Sequence, residues 1–157
     1  FMGYAVGTAP LFGYNYGAQN HSELHSLFRR SLWVINVCGV VMFAAIQLLA
    51  GKCAAAFVGY DPELMKMTTE AFHIYCCSFL FVGMSIFGSA FFTALNNGLI
   101  SAIISFMRTL VFEVGAVLLL PLIFGIQGIW GSVVVAEVVS AILTTGFLIT
   151  KRSKYHY

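Results

Sequence analysis

The chain has 157 residues, 60% of them hydrophobic and only 9% charged, with a net charge of +2 and a mean hydropathy of +0.91. A soluble domain carries roughly 25% charged residues, so there are too few charges here to coat a globule, and the composition defines an integral membrane protein. The small net charge and the lack of any basic block exclude nucleic acid as a partner and leave membrane lipid as the surrounding phase.

Residues 1–18 are read as the end of a transmembrane helix that begins before Phe1, because Phe1 to Phe12 is apolar but falls short of the ~20 residues a crossing needs. Gly3 and Gly7 lie four apart and would let a neighbouring helix approach closely. Pro10 removes a backbone hydrogen bond and is expected to bend the helix, with Gly13 and Gly17 loosening the turns beyond it. Tyr14, Asn15 and Tyr16 supply polar groups at that bend. Such a break is tolerated at membrane depth only beside protein or water; the alternative is a loop at the interface, where tyrosine also belongs.

Residues 19–30 read as a polar loop ending in Arg29 and Arg30. His21 and His25 would share a helical face, but no third ligand stands nearby and the H-E-x-x-H order is absent, so no metal site is assigned. Four apolar segments come next, at about 31–50, 66–95, 99–124 and 126–150, each long enough to span. Helices are the only option for them, since an open sheet leaves backbone groups unpaired in lipid and the strict alternation of a barrel is missing.

The links between them differ. From Gly51 to Lys66 the chain is mixed, and Cys53 to Val58 is expected to lie flat at the interface before the turn Gly59-Tyr60-Asp61-Pro62. Asn96-Asn97-Gly98 makes a tight hairpin with Gly98 as the C-cap. Gly125 alone joins the last two spans, after Pro121 has weakened the end of its helix. Residues 151–157 form a tail. Cys38, Cys53, Cys76 and Cys77 contain no C-x-x-C pair and read as small packing residues. Arg29, Arg30, Lys151, Arg152 and Lys154 fall on one side if the spans alternate, against Lys52 and Lys66 on the other. The positive-inside rule therefore places the 19–30 loop and the tail in the cytoplasm.

Three ionisable residues sit inside spans: Arg108, Glu113 and Glu137. A charge there costs a few kcal/mol or more and faces a cavity or a partner. The functional reading is an ion, proton or cationic-substrate site; the structural one is a pair between helices, or for Arg108 an arm reaching to the membrane edge. Arg108 and Glu113, five apart, point in different directions on an α-helix and are not expected to pair within it. Ser101, Ser105, Thr109 and Glu113 form one polar stripe, Glu137, Ser140 and Thr144 a second, and Ser78, Ser85, Ser89 and Asn96 a third. One stripe alone reads as packing; three stripes with two acids point to a shared hydrated cavity. His73 lies near an outer span end, where an interfacial histidine suffices. No Walker-type loop is present. No short repeat is visible, although the piece suits one half of an internally repeated transporter.

Several stretches together carry a resemblance. Thr8-Ala9-Pro10-Leu11-Phe12-Gly13-Tyr14-Asn15-Tyr16-Gly17-Ala18 resembles the Q-P … (G/S)-(Y/F)-N-(Y/F)-G-A segment ending the eighth helix of MATE-family multidrug and toxin extrusion transporters, with Ala9 in place of the usual Gln. Ala56 to Leu64 resembles the link into helix ten, and Phe92 to Gly98 the turn after it. Ser105-Phe106-Met107-Arg108 resembles the S-x-x-R of helix eleven, and Gly125 to Gly131 the G-x-x-G-(I/V)-W that opens helix twelve. Ala136-Glu137 resembles the small-residue-plus-acid step inside that last helix.

The resemblance implies an all-α, polytopic transmembrane bundle, part of the C-terminal six-helix lobe of a twelve-helix transporter in the cell membrane. Its partner would be the N-terminal lobe of the same chain. It implies export of drugs or organic cations in exchange for Na⁺ or H⁺, with no cofactor beyond that ion. Helix ten here has no deep acid, only Glu70 near its start, so ion coupling is expected at Glu113, with Glu137 next. Tyr14, Asn15, Ser89 and Asn96 are expected to shape the substrate cavity, joined by Ser105, Arg108 and Thr109. The rival within the superfamily is a flippase for lipid-linked saccharides, which would want more cations than Arg108. An enzyme would need paired histidines and acids in the membrane, and a merely structural subunit leaves the intramembrane acids unexplained.

Overall fold

Asp61 and Pro62 show how these residues make these elements. Asp61 is extended, and its side chain accepts hydrogen bonds from the Glu63 and Leu64 amides at 2.9 and 3.2 Å. Pro62 then opens the helix at the one position where its missing N–H costs nothing. In the computed structural model, which describes residues 1–155 and 157, the helices run α1 Met2–Gly17, α2 His21–Val58, α3 Pro62–Tyr75, α4 Phe79–Ala94, α5 Gly98–Phe106, α6 Val114–Phe124 and α7 Ile126–Tyr155. A 3-10 turn, Cys76–Ser78, joins α3 to α4, and a π segment, Met107–Glu113, joins α5 to α6. The described residues contain no strand. Four helical stretches are long and apolar enough to cross a membrane: His21–Val58, Pro62–Ala94, Gly98–Phe124 and Ile126–Tyr155.

Several boundaries differ from the sequence reading. Residues 21–30 are not loop but the first turns of α2, capped by the Asn20 side chain, which accepts from the Glu23 amide at 3.4 Å. Cys53 to Val58 does not lie apart at the interface; it continues α2, where Ala50 and Ala54 are buried. At 38 residues this helix is about 57 Å long and overshoots a ~30 Å hydrocarbon layer. The tail is helical to Tyr155, while His156 lies outside the described residues. Pro10 and Pro121 both sit within continuous helices.

Two turns are made by unexpected residues. In the α4–α5 hairpin the left-handed position falls on Asn96, at φ 58°, and Gly98 is instead the first residue of α5. The Asn97 amide donates to Phe92 O at 2.8 Å, and the Asn97 side chain accepts from the Ile100 amide at 3.3 Å. Gly125 has φ 62° and ψ −141°, a region open only to glycine, so α6 turns into α7 over a single residue.

The core lies at the end where α1, α4 and α7 finish and α2 and α5 begin. Phe12 meets Phe91 edge-on at 5.0 Å between centroids, and Phe28 and Tyr157 close on Phe91 at 4.9 and 4.7 Å. In lipid such contacts hold through packing and ring geometry rather than through water exclusion. Gly88 brings α4 against α7, because any Cβ there would overlap the Thr144 methyl group. By contrast, large apolar side chains stay exposed along α2 and α6, among them Leu48 and Leu122, as a lipid-facing surface requires.

Candidate functional site

The deepest charges meet. Arg108 Nη2 donates to Glu137 Oε1 at 2.7 Å, and Arg108 Nε donates to Oε1 and Oε2 at 3.0 and 3.2 Å. The Glu137 side chain is 7% exposed and that of Arg108 25%. Glu137 lies eleven positions into α7, about 16 Å from its start, close to the midplane of a ~30 Å layer. Arg108 therefore does not reach for the membrane edge. A carboxylate in this position is satisfied by three charge-assisted hydrogen bonds, the arrangement in which a buried pair offsets its desolvation.

The π segment sets the direction of Arg108. Bonding from i to i+5 widens the turn, so residues five apart lie more nearly one above the other than in an α-helix. Arg108 and Glu113 are five apart, and the expectation that they diverge rests on α geometry that the segment does not have. Glu113, half-buried at the end of the segment, makes no hydrogen bond or ion pair among the described residues.

Arg108 also walls a cavity of ≈ 230 Å³ between α1, α4 and the α5–π stretch, together with Ser85, Ser89, Ser105 and Thr109. Ser89 is central to it: its hydroxyl contacts those of Ser101 and Ser105 at 2.9 and 2.8 Å, and Thr93 donates to Ser101 at 2.7 Å. Two stripes thus meet as a hydroxyl ladder binding α4 to α5, with one edge open to the cavity. The structure brings together Ser89, Ser105, Arg108 and Thr109 and ties Glu137 to them.

It does not bring the other candidates there. Tyr14 is 76% exposed, and Asn15 bonds back to Leu11 O at 2.9 Å. The wall that α1 gives the cavity comes from Met2, Ala5 and Val6, at its opposite end. Asn96 forms the hairpin turn instead of facing the cavity. In the opening motif, Gly13 lets α1 approach Ala94 O, and Tyr16 packs on Tyr155 with 5.7 Å between centroids.

Three hydroxyls that the sequence placed on polar stripes, but not among the site candidates, stand out. Ser85 Oγ, Ser140 Oγ and Thr144 Oγ1 are buried with no hydrogen-bond partner among the described residues. All three lay on the polar stripes, but periodicity could not distinguish them from satisfied serines. Nor did any motif mark Gln47, which bonds His73 across α2 and α3, with its Oε1 2.5 Å from His73 Nδ1.

The described residues thus form helices long and apolar enough to cross a membrane, with a buried ion pair and a hydroxyl-lined cavity side by side among them. The MatE family model matches residues 1–119, three quarters of the chain, and the chain belongs to that family of multi-pass membrane transporters. No curated protein and no solved structure is detectably similar to it.

Proposed function

We propose that this chain is part of a secondary antiporter that exports drugs or organic cations in exchange for Na⁺ or H⁺ across the cell membrane. The observation that carries the reading is the Arg108–Glu137 pair at mid-depth, bordering a cavity lined with hydroxyls. A pair so placed is a bistable element: an incoming cation competes with the guanidinium for the carboxylate, and release of Arg108 changes the charge the cavity presents. Glu113, unpartnered on the π segment, is the coupling acid, and Glu137 is the second. Ser85, buried and unpaired, supplies a hydroxyl for a polar group of the substrate or for water. Alternating access of two lobes would then expose the cavity to each side in turn.

A flippase for lipid-linked saccharides is the second reading. Arg108 beside Ser89, Ser105 and Thr109 offers donors to a phosphate, which favours it; Glu137 already neutralises that cation, which counts against it. Full-length protein in liposomes loaded with a fluorescent cation separates the two. Dye movement under an imposed Na⁺ or pH gradient establishes antiport and names the ion. Well-inserted protein that moves no dye under either gradient sinks the antiporter in favour of lipid-linked substrates.

A further inference from the structure

Two further cavities run together on a different face, between α2, α4 and α7. One, of ≈ 240 Å³, has Arg29, Arg152 and His25 at its mouth. The other, of ≈ 570 Å³, is bounded by Asn36, Leu80, Phe81, Val138 and Ile142. They share Met84, Thr145 and Ile149 as walls, so they form one trough with a basic end and an apolar length. On α7 the apolar stretch runs from Ile149 to Val138, eleven positions or about 16 Å. That matches one leaflet, half of a ~30 Å hydrocarbon layer.

Neither Arg29 nor Arg152 has an Asp or Glu partner among the described residues. Arg152 Nε donates to Tyr157 O at 3.1 Å, which fixes the guanidinium at the mouth and leaves its remaining donors unused. Basic pockets between transmembrane helices at the cytoplasmic interface hold anionic head groups, each cation there contributing about 1 kcal/mol.

We infer that this trough binds one anionic phospholipid of the cytoplasmic leaflet, its phosphate on Arg29 and Arg152 and an acyl chain along Met84, Thr145 and Ile149. The leaflet assignment rests on the cytoplasmic placement of this end; the binding itself does not depend on the transport reading. Charge complementarity and leaflet-length geometry single out a lipid over a second protein or a free ion.

The test is native mass spectrometry of delipidated full-length protein titrated with phosphatidylglycerol and phosphatidylcholine of matched chains. The wild type should retain phosphatidylglycerol roughly tenfold better, and the double variant Arg29→Gln/Arg152→Gln should bring the two lipids level. Gly146→Leu, placed where a Cβ meets open space, should fill the trough and weaken both lipids while the protein stays monodisperse. Equal retention of the two lipids by the wild type, or a preference that survives both variants, overturns the site. Competition by glycerophosphate at matched concentration also overturns it, since that marks a phosphate site without a lipid. Labelling of Ser153→Cys from the outside of intact cells overturns the leaflet alone. Intact lipid preference in protein that moves no dye counts against the antiporter and leaves the lipid site standing.

Discussion

Glu137 and Arg108 depend on each other in a way that predicts an asymmetric mutational result. Removing one partner strands a charge at mid-membrane, which costs about 3–5 kcal/mol, whereas replacing both leaves two neutral groups able to hydrogen-bond. Glu137→Gln and Arg108→Gln alone should each lower the melting temperature of the purified full-length protein by several degrees. The double variant should recover most of that loss, and thermal unfolding of the three proteins in detergent measures it. Additive losses would mean the pair contributes no coupling. Tyr157 offers a pH-dependent test. Its hydroxyl donates to Leu148 O at 2.7 Å, and burial, aided by the neighbouring Tyr155, pushes the phenol above its ordinary value near 10. The folded value lies above the unfolded one, so the stabilisation is complete below pH ~10 and fades as the pH rises beyond it. Limited proteolysis should release the tail only in strong alkali. Tyr157→Phe should abolish that extra alkaline sensitivity at a cost of about 1 kcal/mol.

At the scale of the element, the π segment carries the heaviest consequence. A π segment holds one residue more than the α-helix it interrupts, and such insertions favour functional sites. Deleting Leu110 should restore α geometry across Met107–Glu113, closing the widened turn while Glu113, then four positions from Arg108, keeps nearly the same face. The expected outcome is a protein with unchanged helix content by circular dichroism that no longer transports; retained transport would show that the π geometry has no role. This is also where legibility ends. Asp61-Pro62 was legible as a turn, although the span was read from about 66 and α3 already begins at Pro62, and the polar stripes marked the hydroxyls of the α4–α5 ladder but were read together as a cavity lining. The π segment left no trace, since a helix whose outer face meets lipid accepts apolar residues at every angle and its periodicity does not record an insertion. The 3-10 turn at Cys76–Ser78 was hidden for the same reason. Residues 21–30 misled in the opposite direction: their polarity resembled loop, but they form the first turns of α2. Tyr14 and Asn15 were singled out for being polar in a greasy helix, a property that a helix end at the interface satisfies without a cavity.

For the whole molecule, the four crossings fix which ends share a side. The α1–α2 turn, the Asn96–Gly98 hairpin and the end of α7 lie together, joined by the bond from Asn97 to the Tyr155 hydroxyl at 2.5 Å. The Gly59–Asp61 link and Gly125 lie opposite. Five cations, Arg29, Arg30, Lys151, Arg152 and Lys154, mark the first side, and the second has only Lys52 and Lys66 among nearby acids. The asymmetry favours insertion with the first side inward, because lysine and arginine near short loops are retained in the cytoplasm. In a cysteine-free background of the full-length protein, an impermeant thiol reagent added to intact cells should label Tyr60→Cys and not Ser153→Cys. Opening the membrane should then expose Ser153→Cys. The reverse pattern would turn the molecule over, and with it the side on which the Arg29 and Arg152 end of the α2–α4–α7 trough lies.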